Sequence, residues 1–261
     1  MTSTAHALVF ADGALQLDVD GTVATLTLHR PGQRNAVNRA MWAALPDAMA
    51  EIARDDAVRV VIICGEAGVF CAGADIAEFP EVFGSADAAI AYTRAIETAT
   101  DAIAACERPV IALIDGHCIG AGMAIALACD IRICSDRARF AVPPAKLGVL
   151  YSVSDTRRLM TVIGSAHARQ MILTAATHDA DWALRVGLVS EVHGTDSLHT
   201  AVRALATNMA ALSPWTHRRM KAVMAMIEAG LVADTDETRS WFAEAGTGHG
   251  FRAAIGAFVK S

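Results

Sequence analysis

Two glycine-bearing stretches hold the residues best placed to do chemistry. "GVFCAGADIAEF", Gly68 to Phe79, follows one aliphatic run, and "DGHCIGAGM", Asp115 to Met123, follows another. Glycine and small residues let the backbone approach a ligand closely, and N–H groups at a loop entering a helix attract negative charge. Two such loops aimed at one point would form an oxyanion hole, which stabilises the charge that a carbonyl oxygen gains as it reacts. Small residues at a single strand–helix junction are ordinary packing. It is the pair, in this order and spacing, that points to a site.

The remaining polar residues near these loops lie in "LGVLYSVSD", Leu147 to Asp155. Tyr151, Ser152 and Asp155 are the candidates for proton transfer or substrate orientation there. Tyr151 also reads as a buried aromatic with a satisfied hydroxyl. Asp155, with Arg157 and Arg158, reads as a helix start with solvated charge. His117 is expected to be structural, packed beside "VIALI", and Asp130 to bond local backbone. Cys118 has no base beside it in the sequence, so it is not assigned as a nucleophile.

The elements that must position the loops follow from hydrophobic periodicity. Residues 7 to 29 alternate, with Val23, Leu26 and Leu28 set among threonines, which predicts strands joined near Asp20-Gly21. Asn38 can cap a helix whose apolar positions Met41, Trp42, Leu45, Met49 and Ile52 recur at helical spacing up to Arg54. "VRVVIIC" then has the unbroken aliphatic character of a strand buried on both faces. The order returns: a helix from about Ala86 to Cys106, the strand "VIALI", a glycine turn, a short helix from about Gly120, and "IRIC". Alternating strands and helices imply an α/β fold with parallel strands, and ligands are expected where strand ends feed helix starts. From about Ser154 the pattern is mostly helical, interrupted by "GLVSEV", and a helix starts at Ser213-Pro214 and stops at Gly230. Apolar faces on these helices suggest self-association.

Composition narrows the partners. The 261 residues are 54% hydrophobic and 19% charged, with a net charge of −6, which suits a globular chain and disfavours nucleic acid and anionic membrane surfaces. The longest uncharged apolar run, Cys118 to Cys129, is too short to span a bilayer, and the N-terminal residues lack a secretory pattern, so a cytoplasmic protein is expected. The six cysteines lie in apolar stretches without a C-x-x-C pair, which predicts buried thiols and no metal. A dinucleotide turn at Gly120-Ala121-Gly122 is excluded by Ile125 where a third glycine belongs and by the lack of a ribose-binding acid.

The combination "RPGQRNAVN", "FCAGADI", "ERPVIALIDGHCIGAGMAIALACDIRI", "FAVPPAKLGV", "ALRVGLVSEV" and "AFVKS" resembles the crotonase superfamily, or enoyl-CoA hydratase/isomerase family, over almost the whole chain. The resemblance implies a ββα spiral core over residues 1–195 and a C-terminal helical oligomerisation region over 196–261, forming trimers or dimers of trimers. It also implies an acyl-CoA ligand, with coenzyme A entering as part of the substrate and no tightly bound cofactor. By the same resemblance, the oxyanion-hole N–H groups are those of Ala74 and Ala121. Arg34, Ala36, Ala72, Asp75 and Ile76 match the residues that hold the coenzyme A, and Phe258 and Lys260 match the C-terminal residues that contact its nucleotide.

One departure matters for mechanism. Hydratases of this family use two glutamates to activate water and deliver its proton, and the matching positions here are Ala124 and Pro144. Neither side chain can move a proton. The aspartate of the dienoyl isomerases is matched by Ser152. "PPAKLGVLYS" is similar to the segment of methylmalonyl-CoA decarboxylase that carries a tyrosine, here Tyr151, although that enzyme has histidine at the place of Ala74. The expectation is a lyase or isomerase step that uses the oxyanion hole without the glutamates, such as decarboxylation, or a non-catalytic acyl-CoA carrier or sensor.

Overall fold

The computed structural model describes residues 6–247 together with Phe251 and Ile255. Three antiparallel strands open the chain, β1 (His6–Phe10), β2 (Leu15–Asp20) and β3 (Val23–Leu28), with the β2–β3 turn at Gly21 as the alternation predicts. Helix α1 (Arg39–Arg54) begins where Asn38 Oδ1 accepts from the Met41 N–H at 2.9 Å. All five of its predicted apolar positions are buried. Strand β4 (Val60–Gly65), the short α2 (Phe79–Val82), α3 (Ala86–Ala104) and β5 (Val110–Ile114) follow. Next come β6 (His117–Ile119), α4 (Ala121–Ala128), β7 (Ile131–Ser135), β8 (Arg139–Ala141) and α5 (Pro144–Leu147). The remainder comprises α6 (Val153–Thr174), β9 (His178–Asp179), α7 (Ala180–Arg185), β10 (Glu191–His193), α8 (Thr195–Ala210), α9 (Pro214–Glu228) and α10 (Asp236–Thr247).

A seven-stranded sheet runs in the order β1-β2-β3-β4-β5-β7-β10, parallel from β3 onward, and β6-β8-β9 form a smaller sheet. The two faces of the large sheet explain its unbroken aliphatic strands. Val61, Ile63, Ala112 and Ile114 face a core shared with α1, α3 and α4, whereas Val60, Ile62, Ile111 and Leu113 face Leu198, Val202 and Ala206 of α8. A strand covered on both sides has no reason to alternate in polarity. Helix α8 therefore completes the sheet's second hydrophobic layer. No helix among the described residues is long and apolar enough to cross a membrane.

If α8 is a structural layer, Leu198→Ala should destabilise the chain by about 2–5 kcal/mol, the usual cost of emptying a buried leucine site. Urea unfolding would register this as a lower midpoint at unchanged slope. A shift under about 0.5 kcal/mol, the size of ordinary surface effects, would mean that α8 is peripheral.

Candidate functional site

The two glycine-bearing loops meet edge to edge. The Cys71 N–H donates to the His117 carbonyl at 2.8 Å and the Ile119 N–H returns a bond to the Cys71 carbonyl at 3.0 Å, which makes Cys71 and Cys118 partners in a parallel bridge. Counting three residues onward on each segment reaches Ala74 and Ala121. Gly73 and Gly120 both have positive φ, 124° and 50°. With ψ at −103°, Gly120 holds a backbone conformation that other residues rarely adopt. Each glycine turns the peptide unit that follows it.

The carbonyl of each turned peptide is held by the protein. Gly73 accepts from the Val37 N–H at 2.9 Å. Gly120 accepts from the Ala124 N–H at 3.0 Å, the first bond of α4, and from the Tyr151 hydroxyl at 3.3 Å. In a trans peptide the N–H points opposite to the carbonyl, so the Ala74 N–H faces away from the Arg34–Val37 loop and the Ala121 N–H away from α4 and Tyr151. Neither N–H has an acceptor among the described residues. Unpaired N–H groups at adjacent strand ends, one of them at a helix start, can receive an oxygen that carries negative charge.

Close packing fixes the pair. A Cβ added at Gly122 would lie 2.8 Å from Cys71 Cβ and 2.9 Å from its carbonyl oxygen, so only glycine lets the start of α4 approach the neighbouring loop. Cys71 and Cys118 are both fully buried; burial pushes the Cys71 thiol up to about 12 and that of Cys118 well above its ordinary value. These thiols fill space.

The other loop at the site, residues 34–37, is braced by residues that sequence reading passed over. Arg30 donates from Nη1 to the Ala36 carbonyl at 2.6 Å and from Nη2 to Asp75 Oδ2 at 2.9 Å. Asn35, fully buried, accepts from the Arg30 N–H and donates to the Glu66 and Val69 carbonyls. The Asp75 carboxylate also accepts from the Ala77 N–H, so both of its oxygens are engaged within the protein. The Ala72 N–H donates to the Arg34 carbonyl, while the Arg34 side chain projects exposed with no partner among the described residues. Ile76 is 62% exposed beside it. Arg34, Ala36, Ala72, Asp75 and Ile76 thus share one patch of backbone, whereas Phe258 and Lys260 lie outside the described residues.

Of the two positions expected to match the glutamates, Ala124 is buried in the first turn of α4 and Pro144 opens α5. Tyr151 spans between the Gly120 turn and a shallow cavity of about 510 Å³ that it lines with Val153, Thr156, Arg157, Met160 and Thr161. Ser152 caps α6 by accepting from the Asp155 N–H at 3.0 Å and donates to Asp155 Oδ2 at 2.7 Å. Asp155 is not the solvated charge expected from sequence. Only 1% exposed, it pairs with Arg158 at 3.2 Å, and burial raises its carboxyl above the ordinary value against the opposing pull of Ser152 and Arg158. His117 likewise departs from expectation: its side chain is exposed, and its carbonyl does the structural work. Asp130 behaves as read, accepting from the Val110 N–H at 2.7 Å, and it also pairs with Lys221. Among the described residues no group of three or more His, Cys, Asp or Glu side chains could hold a metal ion.

The sequence signal for the register lay in plain view. Cys71 to Ala74 and Cys118 to Ala121 share the pattern Cys-x-Gly-Ala, and the structure pairs their first residues, Cys71 and Cys118, in a parallel bridge.

A family model described as enoyl-CoA hydratase/isomerase matches residues 18–260. The 2,3-dehydroadipyl-CoA hydratase of Escherichia coli is 33% identical over 221 residues, 84% of this chain and 85% of the relative. The peroxisomal Δ3,5-Δ2,4-dienoyl-CoA isomerase of Arabidopsis thaliana is 30% identical over 221 residues, 80% of each chain. Among solved structures, an enoyl-CoA hydratase/carnitine racemase from Magnetospirillum magneticum superposes with a TM-score of 0.90 at 33% identity, covering 95% of this chain and 92% of that one.

Two outcomes follow from the packing. Gly122→Ala should cost about 1–3 kcal/mol in stability through overpacking and weaken binding of an acyl-CoA; calorimetric titration beside a melting curve would show both, and unchanged affinity would mean that the turn does not depend on this contact. Ellman's reagent should find almost no fast thiol in the native chain and all six cysteines after unfolding, since all six are buried.

Proposed function

The chain belongs to the enoyl-CoA hydratase/isomerase family, and from that premise we propose that it binds an acyl-CoA thioester and stabilises the thioester enolate between the N–H groups of Ala74 and Ala121. The observation that carries this reading is the pair of N–H groups without an acceptor among the described residues, each three residues beyond a bridged cysteine and on a peptide whose carbonyl is already held. Arg34, exposed and without a partner among the described residues, supplies a cation for the coenzyme A phosphates, with Ala36, Ala72 and Ile76 as the surrounding surface. Asp75 holds that surface through Arg30. Phe258 and Lys260 are proposed as further contacts to the nucleotide, with assembly into trimers or dimers of trimers through the C-terminal region.

The chemistry proposed is not two-glutamate hydration, because Ala124 and Pro144 can neither activate water nor deliver its proton. A decarboxylase-like lyase step suits the site better. In a malonyl-type thioester the bond from the α-carbon to the carboxylate breaks and its electron pair becomes the enolate. Carbon dioxide leaves, and the α-carbon then takes a proton from solvent. A carboxylate beside such a substrate would repel it, so aliphatic side chains at 124 and 144 are favourable.

A second reading is a non-catalytic acyl-CoA carrier or sensor. It is favoured by the engagement of Ser152 and Asp155 with each other and with Arg158.

The test is a mass-spectrometric turnover screen with crotonyl-, dienoyl-, methylmalonyl- and long-chain acyl-CoA, with binding measured in parallel. The expected result is tight thioester binding, very slow hydration of crotonyl-CoA, and loss of carbon dioxide from the malonyl-type thioester. Binding without any product would favour the carrier, and rapid hydration of crotonyl-CoA would overturn the assignment.

A further inference from the structure

The peptide unit joining Gly120 to Ala121 presents its N–H to the proposed ligand and its carbonyl to the protein. Gly120 has no side chain to hold that peptide in place, and its φ of 50° and ψ of −103° lie outside the regions that other residues favour. A Cβ built at Gly120 meets nothing within 4 Å, so the space on that side of the glycine is open. A flip of the 120–121 peptide would put a carbonyl oxygen where the oxyanion belongs. The carbonyl has two donors, the Ala124 N–H of the helix and the hydroxyl of Tyr151. Among the described residues Tyr151 is the one side chain that holds it.

Tyr151 is itself anchored. It precedes Ser152, the cap of α6, whose hydroxyl is closed into a ring with Asp155. Asp155 pairs with Arg158, and Arg158 reaches across to α3, donating to Thr100 Oγ1 at 3.0 Å and to Asp101 Oδ1 at 2.6 Å. This network, buried at Asp155 and reaching the surface at Asp101, ties the first turn of α6 to α3. The tyrosine ring therefore leaves a rigid helix start and ends on the Gly120 carbonyl.

We infer that Tyr151 is a positioning residue of the oxyanion turn: its hydroxyl holds and polarises the Gly120–Ala121 peptide so that the Ala121 N–H is aimed and strengthened as a donor. The inference rests on the oxyanion reading proposed above and goes beyond it, because Tyr151 acts through the backbone instead of contacting the substrate. A hydrogen bond accepted by an amide carbonyl makes the N–H of the same amide a better donor. A phenol fits this role because burial, and then the nearby Asp155 carboxylate, hold its ionisation well above the ordinary tyrosine value, so it remains a donor across the working range of pH.

The test uses acetoacetyl-CoA, whose acidic α-carbon lets its enolate be followed by near-ultraviolet absorbance without any turnover. In the wild-type chain, binding should favour the enolate. In Tyr151→Phe the apparent enolisation constant should fall by about three- to tenfold, the scale of one hydrogen bond, while affinity for coenzyme A alone stays unchanged. The backbone amide resonance of Ala121 should move and that of Ala74 should not. Unchanged enolisation together with an unmoved Ala121 resonance would overturn the inference. A wild-type chain that binds the probe without enolate would instead overturn the oxyanion reading, and the Ala121 resonance alone would then decide whether the clamp exists.

Should Tyr151→Phe fail to fold, a second variant keeps ring and hydroxyl. The chain has two tyrosines, so 3-fluorotyrosine incorporated in a Tyr92→Phe background labels position 151 alone. The more acidic hydroxyl should raise the enolisation constant, and no change relative to the unfluorinated background would contradict the clamp.

Discussion

The parallel pairing of Cys71 with Cys118 is the constraint from which the rest of the site follows. From this bridge the two segments run on with the same residue types at the same spacing, glycine at 73 and 120 and alanine at 74 and 121. Each carries one N–H group without an acceptor among the described residues, on the peptide that follows its positive-φ glycine. The close approach of Gly122 to Cys71 leaves no room for a side chain between the segments.

The fold is arranged to keep this pairing still. Strands β4 and β5, which deliver the chain to the two loops, are buried on both faces between α1, α3 and α4 on one side and α8 on the other. The Arg34–Val37 loop lies along the other edge of residues 72–75 and is held by Arg30 and by the fully buried Asn35. Tyr151, just before the start of α6, donates to the Gly120 carbonyl. Arg30, Asn35 and Tyr151 are each spent on holding backbone carbonyls of the region.

Much of this was legible in the sequence, for identifiable reasons. The aliphatic run at 58–64, the Asn38 cap and the helical spacing of Met41, Trp42, Leu45, Met49 and Ile52 are local signals, and each led to the right element. The two glycine loops were recognisable because each follows a strand and opens toward a helix. What sequence could not supply was partnership. Asp155 looked solvated because its neighbours in the chain are charged, yet it is buried by α3, a helix that ends some 50 residues earlier. Arg30 reaches the Asp75 carboxylate and Asn35 the Glu66 and Val69 carbonyls, all 31 to 45 residues away, so their roles emerge only from contacts. The bond from Tyr151 to Gly120 crosses 31 residues and has no periodic signature.

The central claim is that the Ala74 and Ala121 N–H groups act together on one thioester oxygen. Infrared difference spectroscopy of a bound acyl-CoA labelled with 13C at the thioester carbonyl tests it most directly, because the carbonyl stretch reports polarisation of that bond and nothing else. A clear shift to lower frequency is predicted on binding to the wild-type chain. A bound thioester whose carbonyl stretch matches that of the free ligand in water, or lies above it, would contradict the claim.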